Sequence, residues 1–393
     1  GVDMVDHLRG SVALGAGIAL FMALAGCGGS APSEQSQSPS AGSSEESPPA
    51  FDAEQYFAGK NIRVIVNHSA GGGSDILARF VMKDFGTKIP GNPRVAVTNE
   101  EGLGGINDVY EAPDDEVVIG LTSRASNLFT TVLDPASTID PTKIRIIGGL
   151  GDTPRGLVVL GDYAKAHKTL ESATGSQEQL KFAGSVGSPS DLTTSPLLVS
   201  WLCDSFKLNC DMLKVAEDSS SDLDLMMERG EINIDDTNMT TVVRNHADKI
   251  RAGDASVYFQ YGGGEFFVVN TPDGITAPQA KDVIPAELYP GFEQILPLTT
   301  GGGVGNTFYV GPSVPDGAVD VLRKAFIDVS EPQAGTIGGL MAGTGPGPTD
   351  LVQIKPMSGD EAQKAYDSAT ETFNTSRPEY EKLQQKYWDQ FWK

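Results

Sequence analysis

A glycine-rich turn, NHSAGGGSD at residues 67–75, lies between the apolar segment 62–66 and the amphipathic segment 74–85. This order predicts a strand, a tight turn and a helix. The first amides of a helix have no partner within the helix and carry a partial positive charge, and glycine lets the backbone come close to a ligand. The turn is therefore predicted to bind an anion, mainly through backbone N–H groups.

A second segment repeats this pattern. SVGSPSDLT at residues 185–193 aligns with SAGGGSDIL at residues 69–77, since each is a glycine turn followed by Ser-Asp and an aliphatic residue. Ser74 and Ser190 could instead cap their helices, with the aspartates complementing the helix dipoles. The two turns contribute the candidate ligand contacts His68, Ser69, Ala70, Gly71, Gly72, Gly73, Ser74, Asp75, Gly184, Ser185, Val186, Gly187, Ser188, Ser190 and Asp191.

Other glycine-rich and catalytic motifs do not fit. A P-loop ends in Gly-Lys-Ser or Gly-Lys-Thr, and no lysine follows either turn. The dinucleotide fingerprint needs a third glycine that AGGGSDIL lacks, and the hydrolase motif G-x-S-x-G is missing around Ser185. The histidines and cysteines show neither a triad pattern nor metal-ligand spacing. We expect no catalytic residues, no metal and no cofactor.

The rest of the chain alternates short apolar segments with amphipathic ones. Strands are predicted at residues 116–121, 143–149 and 156–160, and helices at residues 190–206 and 359–375. This alternation is typical of an α/β fold with mainly parallel sheets. The aromatic residues of the C-terminal segment EKLQQKYWDQFWK are predicted to pack on the body of the protein.

Four polar side chains near the first turn each allow two interpretations. His68 is either a neutral hydrogen-bonding contact in the turn or a partly exposed packing residue. Thr122, Ser123 and Ser126 follow a predicted strand, at the edge of the sheet where α/β proteins place ligands. They either contact the ligand or form local turn hydrogen bonds.

The N-terminal segment has the pattern of an export signal. Arg9 precedes an apolar run at residues 12–26, which ends at Cys27. The run is shorter than the roughly 20 residues of a spanning helix, so a transmembrane anchor is the less favoured alternative. Residues 1–26 are therefore predicted to be a signal peptide, and residues 27–55, rich in Ser, Pro and Glu, a disordered tether.

The tetrapeptide LAGC at residues 24–27 resembles the lipobox of bacterial lipoproteins. The resemblance implies an acylated Cys27, which would anchor the exported protein to the outer face of the cytoplasmic membrane. In that oxidising compartment Cys203 and Cys210 are predicted to form a disulfide if the intervening helix ends near Phe206. Two buried thiols are the alternative.

The chain is strongly acidic: 52 Asp and Glu residues against 29 Lys and Arg residues give a formal net charge of −23. Binding to the phosphates of a nucleic acid needs clustered basic residues, and the sequence contains no such cluster. We therefore expect no nucleic-acid partner.

The order of the segments resembles one known family. IRVIVNHSAGGGSDILARF and NPRVAVTNEEGLGGINDVYEAPDDEVVIGL, followed by FAGSVGSPSDL, GEINIDD and TFYVGPSVPDGAVDVLRKAF, are similar to successive motifs of one receptor class. These are the substrate-binding receptors of tripartite tricarboxylate transporters, also called Bug receptors. The likeness runs from about residue 61 to the C-terminus.

The resemblance implies a two-lobed α/β fold like that of periplasmic binding proteins (the Venus flytrap), each lobe a mainly parallel sheet flanked by helices. It implies one lobe at residues 56–153 and 306–393 and a second at residues 154–305. The lobes would close on a small organic acid, with Asp235 or Asp236 at a position that sometimes sets selectivity. The expected partners are this acid, membrane permease subunits and, through Cys27, the membrane. A monomer without enzymatic activity is expected.

The chain departs from the family in its charge. Ser69 and Ala70 stand in place of the family's proline, and Asp191 stands where many relatives have histidine. An acid near an anion-binding turn repels a polycarboxylate. Four side chains could offset this charge: His68, Arg79, Arg124 and Arg155. The expected ligand is a small mono- or dicarboxylate, with a monocarboxylate, an aromatic acid or an amine-bearing acid favoured over citrate. A sensor for a membrane kinase and an extracellular α/β hydrolase are the alternative functions.

Overall fold

The computed structural model describes residues 50–151, 154–216, 218–263, 267–269, 277–347 and 352–393. The predicted signal peptide, Cys27 and most of the predicted tether lie outside these residues. No helix in the described part of the chain is both long and apolar enough to cross a membrane. The first helix begins at Ala53, and the N-cap residue Asp52 accepts a hydrogen bond from the Gln55 amide. The last three residues of the predicted tether at 27–55 therefore belong to this helix.

The strands are short and spread along the whole described chain. They are β1 (Asn61–Val66), β2 (Arg94–Asn99), β3 (Val117–Arg124), β4 (Arg145–Gly148), β5 (Arg155–Leu160), β6 (Gln179–Gly184), β7 (Asn209–Lys214), β8 (Ile234–Asn238), β9 (Ala255–Tyr261), β10 (Phe267–Val269), β11 (Gly305–Val310) and β12 (Val352–Ile354). The strands predicted at residues 116–121, 143–149 and 156–160 are confirmed to within a few residues, because each is an apolar run that becomes buried.

Helices alternate with these strands. They are α1 (Ala53–Phe57), α2 (Gly73–Met82), α3 (Gly102–Tyr110), α4 (Ser126–Phe129), α5 (Gly161–Ala166), α6 (Leu170–Ala173), α7 (Thr194–Ser205), α8 (Ser220–Glu228), α9 (Met239–Ala252), α10 (Ala280–Val283), α11 (Tyr289–Ile295), α12 (Pro297–Thr300), α13 (Asp316–Ser330), α14 (Ala334–Ala342) and α15 (Gly359–Tyr387). Single turns of 3-10 helix lie at Phe85–Lys88, Thr130–Leu133, Pro141–Lys143, Pro189–Asp191 and Gly301–Gly303, and a π-helical turn lies at Trp388–Trp392.

Two main sheets organise the chain. The first sheet has the order β2-β1-β3-β11-β4, in which β1, β2 and β3 are parallel and β11 runs antiparallel to both of its neighbours. The second sheet has the order β8-β5-β9, and β6 and β7 form a separate parallel pair. The prediction of mainly parallel sheets is wrong for the second sheet, because β5 is antiparallel to both β8 and β9.

The C-terminal helix α15 packs against elements of both sheets. Near its start, the Tyr366 hydroxyl donates to the Pro141 carbonyl oxygen at 2.6 Å; near its end, Gln384 Nε2 donates to the Leu192 carbonyl oxygen at 2.9 Å. The helix passes Pro378 and ends twelve residues beyond the predicted boundary at residue 375. Burial of side chains in its last turns offsets the hydrogen bond that the proline removes.

The two sequence predictions about side-chain packing near the C-terminus and the cysteines are confirmed. Tyr387 and Trp392 are buried, and Trp388 and Phe391 pack against the same core. Helix α7 ends at Ser205, the chain turns, and Cys203 is disulfide-bonded to Cys210.

Candidate functional site

The first glycine loop, residues 67–75, leads from β1 into α2. The turn closes where the Gly72 amide donates to the Ser69 carbonyl oxygen at 3.3 Å, and the helix begins at Gly73. Ser74 therefore lies inside the helix, and its hydroxyl donates to Asn306 Oδ1 at 3.3 Å. The prediction that Ser74 caps the helix is wrong. The N-cap residue is Gly72, which has no side chain with which to cap the first amides.

Asp75 holds the first glycine loop together from within. Its carboxylate is 4% exposed and accepts hydrogen bonds from the Gly71 amide at 2.8 Å and from Asn99 Nδ2 at 3.0 Å. Arg79 forms an ion pair with it at 3.0 Å. Burial raises the pKa of Asp75, but the hydrogen bonds from Arg79, Gly71 and Asn99 outweigh this effect and bring the pKa below its ordinary value. The charge of this aspartate is thus met by a cation.

His68 joins the first glycine loop to the end of β3. Its Nε2 accepts a hydrogen bond from the Ser123 amide at 2.8 Å, so the ring proton resides on Nδ1. Burial, together with the charge of Arg124, lowers the pKa of His68 to about 4. The imidazole is therefore neutral at pH 7, which agrees with the interpretation of His68 as a neutral hydrogen-bonding group.

The hydroxyl groups of Thr122 and Ser123, at the end of β3, form local hydrogen bonds. Asn127 Nδ2 donates to Thr122 Oγ1 at 2.8 Å and to Ser123 Oγ at 3.4 Å. Thr122 and Ser126 are each 1% exposed, and Ser126 Oγ has no hydrogen-bond partner among the described residues. Asn127 was not singled out from the sequence. The one sequence feature that could have indicated it is its position three residues after the end of β3, in the segment TSRASN.

The second glycine loop, residues 184–192, has a different local structure. Pro189–Asp191 forms a 3-10 turn with Ser188 as its N-cap, and α7 begins only at Thr194. The predicted helix at 190–206 therefore starts four residues too early, and Ser190 does not cap it. The proline at the first turn position and the Ser188–Asp191 capping box favour a short separate turn.

The amides of the second glycine loop are already hydrogen-bonded to the chain's own carboxylates. The Gly187 and Ser188 amides donate to Asp191 Oδ2 at 2.9 and 2.7 Å, and the Ser185 amide donates to Asp218 Oδ2 at 3.0 Å. The prediction that this loop offers unpaired N–H groups to an anion is wrong in this conformation. The sequence repeat placed an aspartate at the correct position to satisfy the amides of its own loop.

The remaining two candidates of the second glycine loop serve packing. Val186 is 3% exposed. A Cβ on Gly184 would lie 3.1 Å from Pro196 and from the Trp392 ring, so glycine permits this close approach.

A cavity of about 310 Å³ separates the second glycine loop from elements that follow β2 and β3. One wall consists of Gly102, Leu103, Ile106, Asn127, Thr130, Thr131, Leu133 and Asp134. The opposite wall consists of Ser185, Ser190, Asp191, Thr193, Thr194, Pro196 and Asp218. No residue of the first glycine loop lines it. Two other cavities have volumes of about 530 and 1280 Å³; the first is lined by residues within 79–97 and the second by residues within 168–285.

Carboxylates line both walls of this cavity. Asp191 and Asp218 lie on the wall of the second glycine loop and Asp134 lies on the other wall, and no Lys, Arg or His lines the cavity among the described residues. The wall with Asp134 also contains the start of α3, whose N-cap Glu101 makes no side-chain cap hydrogen bond. Gly102 and Leu103, at the positive end of the α3 dipole, line the cavity.

One cavity residue has a strained backbone. Thr194 begins α7 with φ of +46°, a region that β-branched residues rarely adopt. Asn306, which accepts the hydrogen bond from Ser74, has φ of +41°. Strain of this kind persists where the surrounding structure fixes it, and it clusters at functional sites.

Asp236 lies in a buried ion pair, away from the cavity lining. Arg155 Nε donates to Asp236 Oδ2 at 3.0 Å, and the Tyr261 hydroxyl donates to the same carboxylate at 3.0 Å. Burial, reinforced by the charge of Asp236, raises the pKa of neighbouring Asp235 to about 7. Arg155 is therefore not available to offset charge in the cavity.

The described part of the chain contains no group of three or more His, Cys, Asp or Glu side chains placed to hold a metal ion. The side chains that line the cavity can accept hydrogen bonds from a ligand cation, and the start of α3 can donate hydrogen bonds to a ligand anion. The cavity is thus equipped to bind and orient a small polar molecule.

Comparison with known proteins identifies the fold. No known protein-family profile matches the chain, and no curated protein matches its sequence. Solved structures do match. The periplasmic binding protein BugD superposes with a TM-score of 0.53 at 17% identity, covering 84% of this chain and 98% of BugD.

Two proteins from Rhodopseudomonas palustris match as well. MatC, solved with bound malate, has a TM-score of 0.53 and 14% identity over 84% of this chain and 100% of its own. A second protein, solved with adipate, has a TM-score of 0.54 and 14% identity over 83% of this chain and 97% of its own. The chain therefore has the two-lobed α/β fold of the periplasmic binding protein BugD, which the two Rhodopseudomonas palustris structures share.

Proposed function

We propose that the chain is an extracytoplasmic receptor that binds a small organic carboxylate between two lobes and delivers it, unchanged, to membrane permease subunits. The observation that carries this proposal is the cavity of about 310 Å³ between the second glycine loop and the start of α3. Its size is suited to a small molecule, and clefts between lobes are common ligand sites. Structures of the same fold were solved with malate and adipate.

The proposed lobes are residues 56–153 with 306–393, and residues 154–305. In support, the first sheet takes its strands from the first set of residues except for the start of β11, and the second sheet takes its strands from the second set. The cavity walls come from both sets. The proposed receptor acts as a monomer, and all residues that line the cavity come from this chain.

In the proposed complex, a ligand carboxylate accepts hydrogen bonds from the amides at the start of α3. Asn127 lies in the same wall and is held in place by the hydroxyl groups of Thr122 and Ser123, to which it donates. The first glycine loop contributes indirectly, because His68 accepts a hydrogen bond from the Ser123 amide. Charge-assisted hydrogen bonds at roughly 1.5–3 kcal/mol each, less the cost of closure, are enough for the about −8 kcal/mol of a micromolar complex.

Export and lipid anchoring remain proposals from the sequence. They rest on the apolar run at residues 12–26 and on Cys27 in LAGC, and they agree with a fold seen in periplasmic binding proteins. Transfer of the protein into membranes would require Cys27, and the variant Cys27→Ser, expressed in a bacterial host that processes lipoproteins, is expected in the soluble fraction.

Titration calorimetry with the purified chain tests the binding function. Malate, adipate, benzoate and citrate are the probes, and we expect micromolar binding of at least one of the first three and weaker binding of citrate. Asn127→Ala is expected to weaken binding about tenfold, whereas Gln177→Ala, an exposed side chain outside the cavity, leaves it unchanged. Absence of binding by all acids at millimolar concentration, or ester hydrolysis abolished by Ser188→Ala, would contradict the proposal.

A further inference from the structure

A buried ion pair lies near the cavity without lining it. Arg155 is 8% exposed and Asp236 is 2% exposed, and Arg155 Nη2 lies 2.8 Å from Asp236 Oδ2. The Tyr261 hydroxyl lies 3.0 Å from both oxygens of the same carboxylate. None of these three described residues belongs to the cavity lining. Any influence of the pair on a ligand in the cavity therefore passes through a neighbouring residue.

Ser195 is this neighbour. Its hydroxyl accepts a hydrogen bond from Arg155 Nη2 at 2.7 Å and donates to Asp236 Oδ2 at 2.9 Å. Ser195 is the second residue of α7 and stands between Thr194 and Pro196, which both line the cavity. Its side chain thus ties the start of α7 to the second sheet, where Arg155 lies in β5 and Asp236 in β8.

The segment before Ser195 is also held at its other end. Leu192 is fully buried, and its carbonyl oxygen accepts the hydrogen bond from Gln384 Nε2 at 2.9 Å. Thr193 and Thr194, between these two anchors, line the cavity. The Thr193 side chain makes no cap hydrogen bond to α7 within the described chain, and Thr194 has φ of +46°. A β-branched residue keeps such a conformation only where its neighbours fix it.

We propose, building on the proposed receptor function, that Ser195 is a positioning residue for the ligand. Through its hydroxyl, the pair of Arg155 and Asp236 holds Thr193 and Thr194 in the conformation that a small organic carboxylate meets in the cavity. Loss of the hydroxyl lets Thr194 relax to an ordinary backbone conformation, so that only a fraction of the free protein keeps the binding-competent wall. The apparent affinity falls by that fraction.

The role of Asp236 is then indirect. Its carboxylate is engaged by Arg155, Tyr261 and Ser195 and lies outside the cavity lining, so a ligand would have to break the buried pair to reach it. Breaking a buried ion pair leaves an uncompensated charge, which is strongly unfavourable. Asp236 therefore acts on the ligand through Ser195 and the cavity wall that Ser195 holds.

Ser195→Ala and Ser200→Ala separate a positioning role from a purely structural one. Both serines lie on α7, and Ser200 Oγ donates to the Pro196 carbonyl oxygen at 2.6 Å and accepts from Trp392 Nε1 at 2.9 Å. Each variant loses a hydroxyl with two partners, so we expect similar unfolding temperatures. In titration calorimetry of the full chain with malate, adipate and benzoate, we expect Ser195→Ala to weaken the binding of each acid that binds the wild type about tenfold, and Ser200→Ala less than about twofold.

Two further measurements test whether the hydroxyl fixes the wall. Ser195→Thr keeps the hydroxyl and is expected to bind within about threefold of the wild type. Hydrogen exchange in residues 192–196 without ligand is expected to be faster in Ser195→Ala than in Ser200→Ala, because the segment has then lost one of its two anchors. This second measurement does not depend on the identity of the ligand.

The outcomes distinguish this inference from the receptor function. If an acid binds the wild type and Ser195→Ala binds it equally well, the inference is overturned and the receptor function stands. The same conclusion follows if Ser200→Ala or Ser195→Thr weakens binding as much as Ser195→Ala, or if exchange in residues 192–196 is alike in the two alanine variants. If none of the three acids binds the wild type, the receptor function is overturned, and the inference that rests on it falls as well.

Discussion

The two glycine loops of this protein share one hydrogen-bonding design and differ in charge. In each, an aspartate accepts from the amide of the glycine four residues earlier: Asp75 from Gly71 at 2.8 Å and Asp191 from Gly187 at 2.9 Å. Arg79 neutralises Asp75, which is buried, whereas Asp191 is exposed to the cavity without an ion-pair partner in the described chain. The repeated sequence thus places the same aspartate-to-amide hydrogen bond in two loops of different local structure, and the neighbouring residues determine the charge that each loop presents.

The largest expected difference between the loops is in stability. Asp75→Ala leaves the Gly71 amide, Asn99 and Arg79 without their common acceptor, so we expect a loss of about 3 kcal/mol in the free energy of unfolding. Asp191→Ala removes hydrogen bonds at an exposed turn and is expected to cost about 1 kcal/mol. Urea denaturation of both variants measures the comparison. Equal losses would mean that the two aspartates hold their loops equally strongly.

The helix that follows the second glycine loop is fixed at its far end by a disulfide, whereas α2 has no such link. Replacing Cys203 and Cys210 with serine is expected to lower the free energy of unfolding by about 2.5 kcal/mol, from the entropy of the short loop that the bond closes. Thermal denaturation in the presence and absence of reductant gives the same comparison for the wild type. No shift in either experiment would contradict a structural disulfide.

Only the first glycine loop contains a titratable imidazole. The pKa of His68 falls from its ordinary 6.5 to about 4 on folding. As the pH is lowered, the imidazole is therefore protonated at a higher pH in the unfolded chain than in the folded chain. Stability is then lost as the pH falls from about 6.5 to about 4. Between pH 7 and pH 5 the loss from His68 is about 2 kcal/mol.

His68→Gln provides the control for this pH dependence, since its side-chain oxygen can still accept the Ser123 amide. The difference in unfolding free energy between wild type and His68→Gln is expected to change by about 2 kcal/mol between pH 7 and pH 5. A difference independent of pH would show that His68 titrates alike in the folded and unfolded chains. The second glycine loop has glycine at the aligned position, residue 184, and contributes nothing of this kind.

The smallest expected effect concerns the support of the second glycine loop by the C-terminal helix. Gln384 is 2% exposed and donates to the Leu192 carbonyl oxygen. Gln384→Met leaves this buried acceptor unsatisfied, so we expect a loss of about 1 kcal/mol and faster hydrogen exchange in residues 185–192. Gln385→Met, at an exposed neighbouring position, is the control. Equal exchange in the two variants would show that α15 does not hold the loop.

Much of the fold could be predicted from the sequence because it depends on local patterns. The apolar runs of β1, β3 and β5 became buried strands, and the glycine turns lie between strands and helices as expected. The antiparallel direction of β5 and the extension of α15 past Pro378 were missed, since both depend on packing between distant segments.

The position of the candidate site was predictable only in part, because the second glycine loop lines the cavity and the first glycine loop does not. Both glycine loops were recognised, yet the sequence does not show that Asp191 and Asp218 bind the amides of the second one, because this depends on side-chain direction. Arg155 was available in the sequence as a cation for the site, but the fold pairs it with Asp236. Asn127 was overlooked because a single asparagine after a strand has no distinctive spacing.

A crystal structure of the full chain with a bound organic acid such as malate or adipate tests the central claim most directly. The account predicts the ligand in the cavity between the two walls, with a carboxylate at the Gly102 and Leu103 amides. Asp191 Oδ2 would still accept the Gly187 and Ser188 amides. A ligand carboxylate bound to those two amides, with Asp191 displaced, would contradict the account.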